Sequence, residues 1–241
     1  MHGMAPGVPG EDAAAAGGTG GADAVSAGFP GGFAGAAAAG GAGRNGGEDG
    51  RPAAKAALRR RLVAARGRLT DAERSEAGHR LRDAVLALPE TQMAGTAAAY
   101  YSVGTEPDTR GLVYALWKRG TYVLLPLLLP GGDLDWASYE GPDSLLQGPR
   151  GLLEPAEPPR GVTAVASADL VIVPALAADR RGFRLGRGGG SYDRALARVG
   201  GPVPTVALLY DGELLDVVPS GPHDLPVRMI ARPREGITRL P

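Results

Sequence analysis

The chain has 241 residues, and its 26 basic side chains balance 26 acidic ones at a formal net charge of zero. This balance argues against a nucleic-acid-binding protein and against a protein that adheres to anionic membranes. The sequence has no cysteine, which excludes disulfide bonds and thiolate catalysis, and it has no run of ~20 apolar residues that would span a membrane. We therefore expect a cytoplasmic protein.

Residues 1–50 differ sharply in composition from the rest of the chain. They contain 17 of the 39 glycines and are otherwise mostly alanine. Because such a segment has few large apolar side chains to offset the entropy lost on ordering its backbone, we predict a disordered leader. The leader also lacks the pattern of a secretory signal. Residues 51–241 have the size of one folded domain.

The first half of this domain alternates helical and strand-like segments. Composition and apolar spacing predict a helix over 53–66. Thr70 and Glu73 form a capping-box pattern that begins a second helix, which we expect to end near Leu88, before Pro89. The other predicted elements of this half are a strand over 97–102, a helix over 109–119 and strands over 121–127 and 134–139, followed by loops over 140–162.

The second half begins with a continuous apolar run over 169–176, which predicts a strand buried on both faces. A glycine-rich segment and a helix over 191–199 follow, and then strands over 205–209 and 227–231. Strands that alternate with helices imply right-handed crossovers and a mainly parallel sheet. We predict an α/β fold of the Rossmann-like, three-layer α-β-α type.

The order of strand, glycine-rich loop and helix is typical of phosphate binding. The glycines at 186 and 188–190 let backbone amides approach an anion, and the helix directs its positive dipole end to the same place. Arg184 and Arg187 add positive charge; the alternative is a solvent-exposed turn. A Walker A lysine is absent, and a dinucleotide fingerprint fails at Ser191.

Residues 184–194, preceded by Pro174, Leu176, Asp179 and Gly182, resemble the signature of the 5-formyltetrahydrofolate cyclo-ligase family. The resemblance runs from about residue 55 to residue 230. Weaker segments follow in the family's order: Lys55-Ala-Ala-Leu-Arg59, Tyr101-Ser102 with Glu106 and Thr109, Leu124–Pro126, Glu154-Pro155 and His223-Asp224. This family uses ATP to cyclise 5-formyltetrahydrofolate to 5,10-methenyltetrahydrofolate, with release of ADP and phosphate.

The resemblance also implies roles for individual residues. Arg187 and Tyr192 would be catalytic, Tyr101 and Glu106 would bind the folate, and Asp193 and Asp224 would hold Mg²⁺. The residues expected to bind ATP are Lys55, Arg59, Arg184, Leu185, Gly186, Arg187, Gly188, Gly189, Gly190, Ser191 and Tyr192. We expect a monomer whose partners are two small molecules, a reduced folate and ATP.

The chain departs from the family pattern in its glycine loop. Gly189 and Ser191 stand where many members have lysine and tyrosine. These differences leave open a paralogue that binds folate or nucleotide without catalysis. A nicotinamide-dependent enzyme is a further alternative, disfavoured by Ser191 and by the lack of an acidic partner after the loop. A nucleic-acid-binding module is disfavoured by the zero net charge.

Overall fold

The computed structural model describes residues 50–148 and 151–241. The predicted disordered leader over 1–50 lies outside these residues, apart from Gly50, which begins the first helix. Within the described residues, no helix is long and apolar enough to cross a membrane.

The described residues form helices and short strands in alternation. The helices are α1 (Gly50–Arg66), α2 (Asp71–Leu86), α3 (Pro89–Met93), α4 (Arg110–Lys118) and α5 (Ser191–Leu196). The strands are β1 (Thr96–Ala98), β2 (Tyr122–Leu128), β3 (Leu134–Ser138), β4 (Leu145–Gln147), β5 (Leu153–Pro155), β6 (Leu170–Pro174), β7 (Ala177–Asp179), β8 (Arg184–Leu185), β9 (Thr205–Leu208), β10 (Leu214–Leu215), β11 (Met229–Arg232) and β12 (Gly236–Arg239).

The predicted capping box begins α2 as expected. The Thr70 hydroxyl accepts the N–H of Glu73 at 3.2 Å, and the Glu73 carboxylate accepts the N–H of Thr70 at 2.8 Å. The helix ends at Leu86, slightly before the predicted Leu88. Pro89 then starts the short helix α3, because the first helical position does not need a free N–H.

Seven strands form the central sheet in the order β12-β11-β9-β6-β1-β2-β3. The neighbours from β11 to β2 are all parallel, and an antiparallel strand completes each edge. The predicted mainly parallel sheet is therefore confirmed. The apolar run over 169–176 becomes β6, in the middle of the sheet, which explains why it is apolar on both faces.

Consecutive residues of β6 point into different cores. Leu170 and Ile172 pack with α2 and α4 on one face of the sheet, and Val171 packs on the other face with Leu196 of α5. This alternation follows from the period of two along a strand. A separate cluster on Leu62 joins α1 to β7 and β8. Helices thus cover both faces, as the three-layer prediction requires.

Three local predictions were wrong in detail, and short strands such as β12 were not predicted. The strand predicted over 97–102 ends at Ala98. The region over 140–162 contains the hairpin of β4 and β5 instead of loops alone; both strands have only three residues, too few to show a pattern. Helix α5 ends at Leu196 instead of Val199, one turn before a Gly-Gly pair. Strand β12 was missed because it is a half-exposed edge strand with no long apolar run.

Candidate active site

A cavity of about 550 Å³ opens at the carboxyl ends of the central strands. Its lining includes Tyr100 just after β1, Leu128 at the end of β2 and Pro174 at the end of β6. Open parallel sheets bind their ligands at this edge, outside the carboxyl ends of the strands. The cavity therefore lies where the fold places functional sites.

The glycine loop over 186–190 forms one wall of the cavity and is shaped by two glycines with positive φ. Gly188 has a φ of 110° and Gly190 a φ of 67°, which residues with a side chain rarely adopt. Arg59 of α1 donates from Nε to the Gly186 carbonyl at 2.8 Å. Its guanidinium lies so close to Gly188 that an added Cβ would come within 3.4 Å of Cζ. Helix α1 thus holds the first half of the loop.

The helix after the loop is shorter than the sequence predicted. Helix α5 has six residues, so its summed peptide dipole is smaller than that of the expected nine-residue helix. Side-chain cations, among them Arg59, Arg184 and Arg187, also line this wall.

Among the described residues, three cation–carboxylate pairs have both members on the cavity lining, and Lys55 and Asp224 form the first. The Lys55 ammonium lies 2.6 Å from Oδ2 of Asp224, and the N–H of Gly221 donates to the same oxygen at 2.6 Å. Partial burial favours the neutral acid, but the hydrogen bonds from Lys55 and Gly221 outweigh it and hold the pKa of Asp224 below its ordinary value. Asp224 is therefore ionised at neutral pH.

Arg184 and Asp193 form the second pair, which is more deeply buried. The Arg184 side chain is only 3% exposed; it donates to Asp193 Oδ1 at 3.0 Å and to the Leu225 carbonyl at 2.7 Å. The Leu225 N–H donates to the same Asp193 oxygen at 3.1 Å. Burial lowers the pKa of Arg184, and Asp193 opposes that effect. This pair ties the chain around residue 225 to the loop, next to Asp224.

Arg187 and Glu106 form the third pair, across the cavity. Arg187 Nε donates to Glu106 Oε1 at 3.0 Å, with side chains 55% and 10% exposed, respectively. The other oxygen of Glu106 accepts the N–H of Val103 at 3.1 Å. Burial raises the pKa of the neighbouring Tyr192 phenol, and Glu106 raises it further. Tyr192 is therefore a neutral hydroxyl between the loop and Glu106.

Aromatic and apolar side chains line the cavity away from the glycine loop. The Tyr101 ring lies 6.4 Å from Tyr139, which packs edge-on against Trp117 at 5.9 Å. Leu128 and Leu134 add apolar surface beside the turn of the β2–β3 hairpin. The cavity thus has a charged half and an aromatic half, which suits a ligand pair of different polarity.

The structure brings all the residues predicted for the site to this one cavity: Lys55, Arg59, Tyr101, Glu106, Arg184, Leu185, Gly186, Arg187, Gly188, Gly189, Gly190, Ser191, Tyr192, Asp193 and Asp224. Two of them have side chains engaged elsewhere. The Leu185 side chain belongs to a core cluster with Leu62, and its carbonyl accepts the N–H of Leu176 at 2.7 Å. The Ser191 hydroxyl donates to the carbonyl of Gly132.

Comparison with known proteins decides the family. The model of the 5-formyltetrahydrofolate cyclo-ligase family matches residues 51–233. The chain belongs to this family. A 5-formyltetrahydrofolate cyclo-ligase of Mycolicibacterium smegmatis is 36% identical over 195 residues, which cover 78% of this chain and 98% of the relative. One of Escherichia coli is 32% identical over 168 residues, covering 68% and 92%.

Solved cyclo-ligase-type structures have the same fold. The NMR structure of Aquifex aeolicus 5,10-methenyltetrahydrofolate synthetase superposes with a TM-score of 0.68 at 27% identity, covering 77% of this chain and 92% of that one. The Mycoplasma pneumoniae 5,10-methenyltetrahydrofolate synthetase gives 0.58 at 18% identity, covering 73% and 96%. Family membership decides against the nicotinamide-dependent alternative.

One charged pair beside this cyclo-ligase cavity was missed from the sequence. Arg66 ends α1, and its guanidinium donates to both carboxylate oxygens of Glu213 at 2.7 Å and to the Ala175 carbonyl at 2.6 Å. The two side chains are 2% and 7% exposed. Burial alone lowers the pKa of Arg66, but Glu213 outweighs it and the pKa lies above the ordinary value. In the sequence, Arg66 looks like an ordinary exposed cation at a helix end.

The two acids expected to hold Mg²⁺ flank Arg184 but do not form a metal cage by themselves. Within the described residues, no group of three or more His, Cys, Asp or Glu side chains is placed to hold a metal ion. The hydrogen bonds of the two acids use Oδ1 of Asp193 and Oδ2 of Asp224. Mg²⁺ commonly binds through one or two carboxylates, with phosphates and waters as its other ligands. The two acids fit an ion that arrives with a triphosphate.

Proposed function

We propose that this chain catalyses the ATP-dependent cyclisation of 5-formyltetrahydrofolate to 5,10-methenyltetrahydrofolate, with release of ADP and phosphate. The observation that carries the proposal is the convergence of a cation-lined glycine loop and an aromatic wall on one cavity, in a chain of this family. The two bacterial relatives are named for the cyclo-ligase activity.

The reaction consists of two displacements, and neither needs a nucleophilic side chain. The formyl oxygen attacks the γ-phosphorus of ATP, and ADP leaves. N10 of the folate then attacks the activated formyl carbon, phosphate departs with the former formyl oxygen, and N10 releases its proton. Phosphoryl transfer depends mostly on positioning and on neutralising charge. A site of cations and backbone amides, in a chain without cysteine, is sufficient for it.

The charged half of the cavity would bind the triphosphate. Lys55 and Arg187 are paired with carboxylates that a phosphate can replace, and Arg59 lies over Gly188. Arg184 is enclosed by Asp193 and the Leu225 carbonyl, so we assign it the role of shaping the loop and supplying long-range charge. Mg²⁺, held by Asp193 and Asp224, would neutralise charge on the phosphates.

The aromatic half would bind the folate. Glu106 is 10% exposed and presents a carboxylate toward the cavity, and such a group accepts the paired N–H donors of a pterin ring. Tyr101 lines the cavity beside it, and Tyr192 lies at the junction with the glycine loop. In this arrangement, the formyl group of the folate would lie next to Arg187, which pairs with Glu106.

The Arg187–Glu106 pair would couple the two binding events. Each ligand needs one member of the pair, so either ligand has to open it. The first ligand bears the cost of opening, and the second finds its partner already released. Binding of ATP and of folate is therefore positively coupled, by the same factor in both directions.

The experiment that tests the function is the near-ultraviolet absorbance of the conjugated methenyl product. Purified protein is mixed with (6S)-5-formyltetrahydrofolate and Mg·ATP, and each component is left out in turn. We expect growth of absorbance only in the complete mixture, and growth about 10²-fold slower with Arg187→Gln. A flat trace from folded protein that binds Mg·ATP would contradict the proposal and indicate a non-catalytic member of the family.

A further inference from the structure

The tip of the β2–β3 hairpin contacts the end of the glycine loop through a set of ion pairs. Asp133 at the tip accepts two hydrogen bonds from Arg198, at 2.9 and 2.5 Å. Its carboxylate also lies 3.8 Å from Nε of Arg194, on α5. Arg198 comes two residues after α5. One carboxylate of the hairpin thus lies between two arginines that follow the loop.

Arg194 connects the hairpin directly to the loop. It donates to the carbonyl of Gly132 at 2.6 Å and to that of Gly189 at 3.1 Å. A Cβ added to Gly190 would come within 3.1 Å of this guanidinium, and one added to Gly132 within 3.3 Å. The guanidinium therefore fills the space between the loop and the hairpin. The Ser191 hydroxyl donates to the same Gly132 carbonyl.

These contacts fix the half of the loop that α1 does not reach. Arg59 holds the loop at the Gly186 carbonyl, whereas Arg194 holds it at the Gly189 carbonyl. A run of glycines loses more conformational entropy on ordering than any other sequence. A loop already held in its binding shape avoids that loss when a ligand arrives. Fixing both ends of the loop therefore favours phosphate binding.

We propose that Asp133, Arg194 and Arg198 form a hairpin latch, a set of positioning residues that hold the glycine loop in its phosphate-binding shape. The proposal rests on the proposed function, because it takes the loop to be the site of the triphosphate. Asp133 and Arg198 act only through Arg194 and the loop backbone. Within the described residues, neither of them lines the cavity.

The test compares variants of the latch in the full chain. Asp133→Asn keeps the shape of the side chain and removes its charge. We expect KM for Mg·ATP, and the dissociation constant of a non-hydrolysable Mg·ATP analogue measured by calorimetry, to rise about three- to tenfold, as for loss of a charge-assisted hydrogen bond. KM for the folate should stay within twofold, and Asp133→Glu should recover most of the nucleotide affinity.

Two further variants separate the latch from general damage. Arg198→Gln should have a similar effect, and the double variant Asp133→Asn/Arg198→Gln should be little worse than either single one, because both remove the same ion pair. Asp83→Asn is the matched control: Asp83 pairs with Arg82 at 2.8 Å on α2, outside the cavity lining. This control should leave both KM values unchanged.

Three outcomes would overturn the latch: an unchanged nucleotide affinity in Asp133→Asn, additive effects in the double variant, or an equal rise in both KM values. A lower melting temperature with unchanged nucleotide affinity would likewise assign the ion pairs to stability alone. Failure of the proposed function has a different signature, since the wild-type protein would then form no methenyl product. In that case, the dissociation constant of the nucleotide analogue, measured by calorimetry, would still test the latch.

Discussion

Two arginine–glutamate pairs adjoin the cavity and differ mainly in their exposure to solvent. Arg66 and Glu213 are 2% and 7% exposed and make two hydrogen bonds to each other, whereas Arg187 and Glu106 are 55% and 10% exposed and make one. A buried pair is costly to open because it leaves an uncompensated charge, and an exposed pair opens at little cost. The Arg66–Glu213 pair is therefore expected to stay closed and to stabilise the fold, whereas the Arg187–Glu106 pair is expected to open when a ligand binds.

The largest expected effect comes from breaking the buried pair. Arg66→Met leaves the Glu213 carboxylate buried without its cation, which should lower the free energy of unfolding by about 3–5 kcal/mol. Urea denaturation followed by circular dichroism measures it. Glu106→Gln, at the exposed pair, should lower it by less than about 1 kcal/mol. Equal losses in the two variants would remove the distinction between the pairs.

For catalysis, the exposed pair should matter more than the buried one, because it contains Arg187. Arg187→Gln should reduce kcat/KM about 10²-fold, the loss typical for removal of one group that stabilises charge in a transition state. Its melting temperature should stay close to that of the wild type, because the side chain is more than half exposed. A variant that loses stability but keeps its kcat/KM would show that Arg187 has a structural role only.

The pair of Asp133 with Arg198 lies between these extremes, with side chains 24% and 25% exposed. Arg198 is the main cause that lowers the pKa of Asp133 to about 2. An acid with a depressed pKa stabilises the fold above its ordinary pKa of about 4 and loses that contribution as the pH falls toward 2. Unfolding free energies between pH 5 and pH 2 should therefore decline less steeply in Asp133→Asn than in the wild type, by under about 1 kcal/mol. If the free energy of unfolding fell equally with pH in the two proteins, the acid sensitivity would come from groups other than Asp133.

The smallest expected effect is the coupling between the two ligands. A non-hydrolysable Mg·ATP analogue should bind about two- to fivefold more tightly when 5-formyltetrahydrofolate is present, which matches the small free energy of an exposed ion pair. Glu106→Gln should bring this factor close to one. Lys55→Gln weakens nucleotide binding but leaves the Arg187–Glu106 pair intact, so it should keep the coupling. A factor of one in the wild type would show that the pair does not link the two sites.

The sequence predicted what is encoded in short segments. The glycine loop, the capping box at Thr70 and the apolar strand β6 are each specified by neighbouring residues, and all three formed as expected. The family motif also identified side chains that meet in the cavity, because the fold of the family brings them together. Short strands such as β12 carry too few residues to produce a recognisable period.

The pairing of charges could not be predicted from the sequence. Arg66 and Glu213 are 147 residues apart, and Arg187 and Glu106 are 81 residues apart. Nothing local distinguishes a buried Arg66 from its exposed neighbours on α1. Asp133 carries no motif either, and its contact with Arg198 exists only because the hairpin tip folds back against the end of α5. Partners of this kind are set by topology.

The row of rings from Tyr101 through Tyr139 to Trp117 gives the protein a built-in optical reporter. The chain has two tryptophans; Trp136 is fully buried in the core, while Trp117 is joined to the cavity wall by two ring contacts. A conjugated methenyl product formed beside Tyr101, as proposed, would absorb at longer wavelengths than indole and would be separated from Trp117 by these two ring contacts. Product formation and release are therefore expected to quench and restore tryptophan emission, without any label attached to the protein.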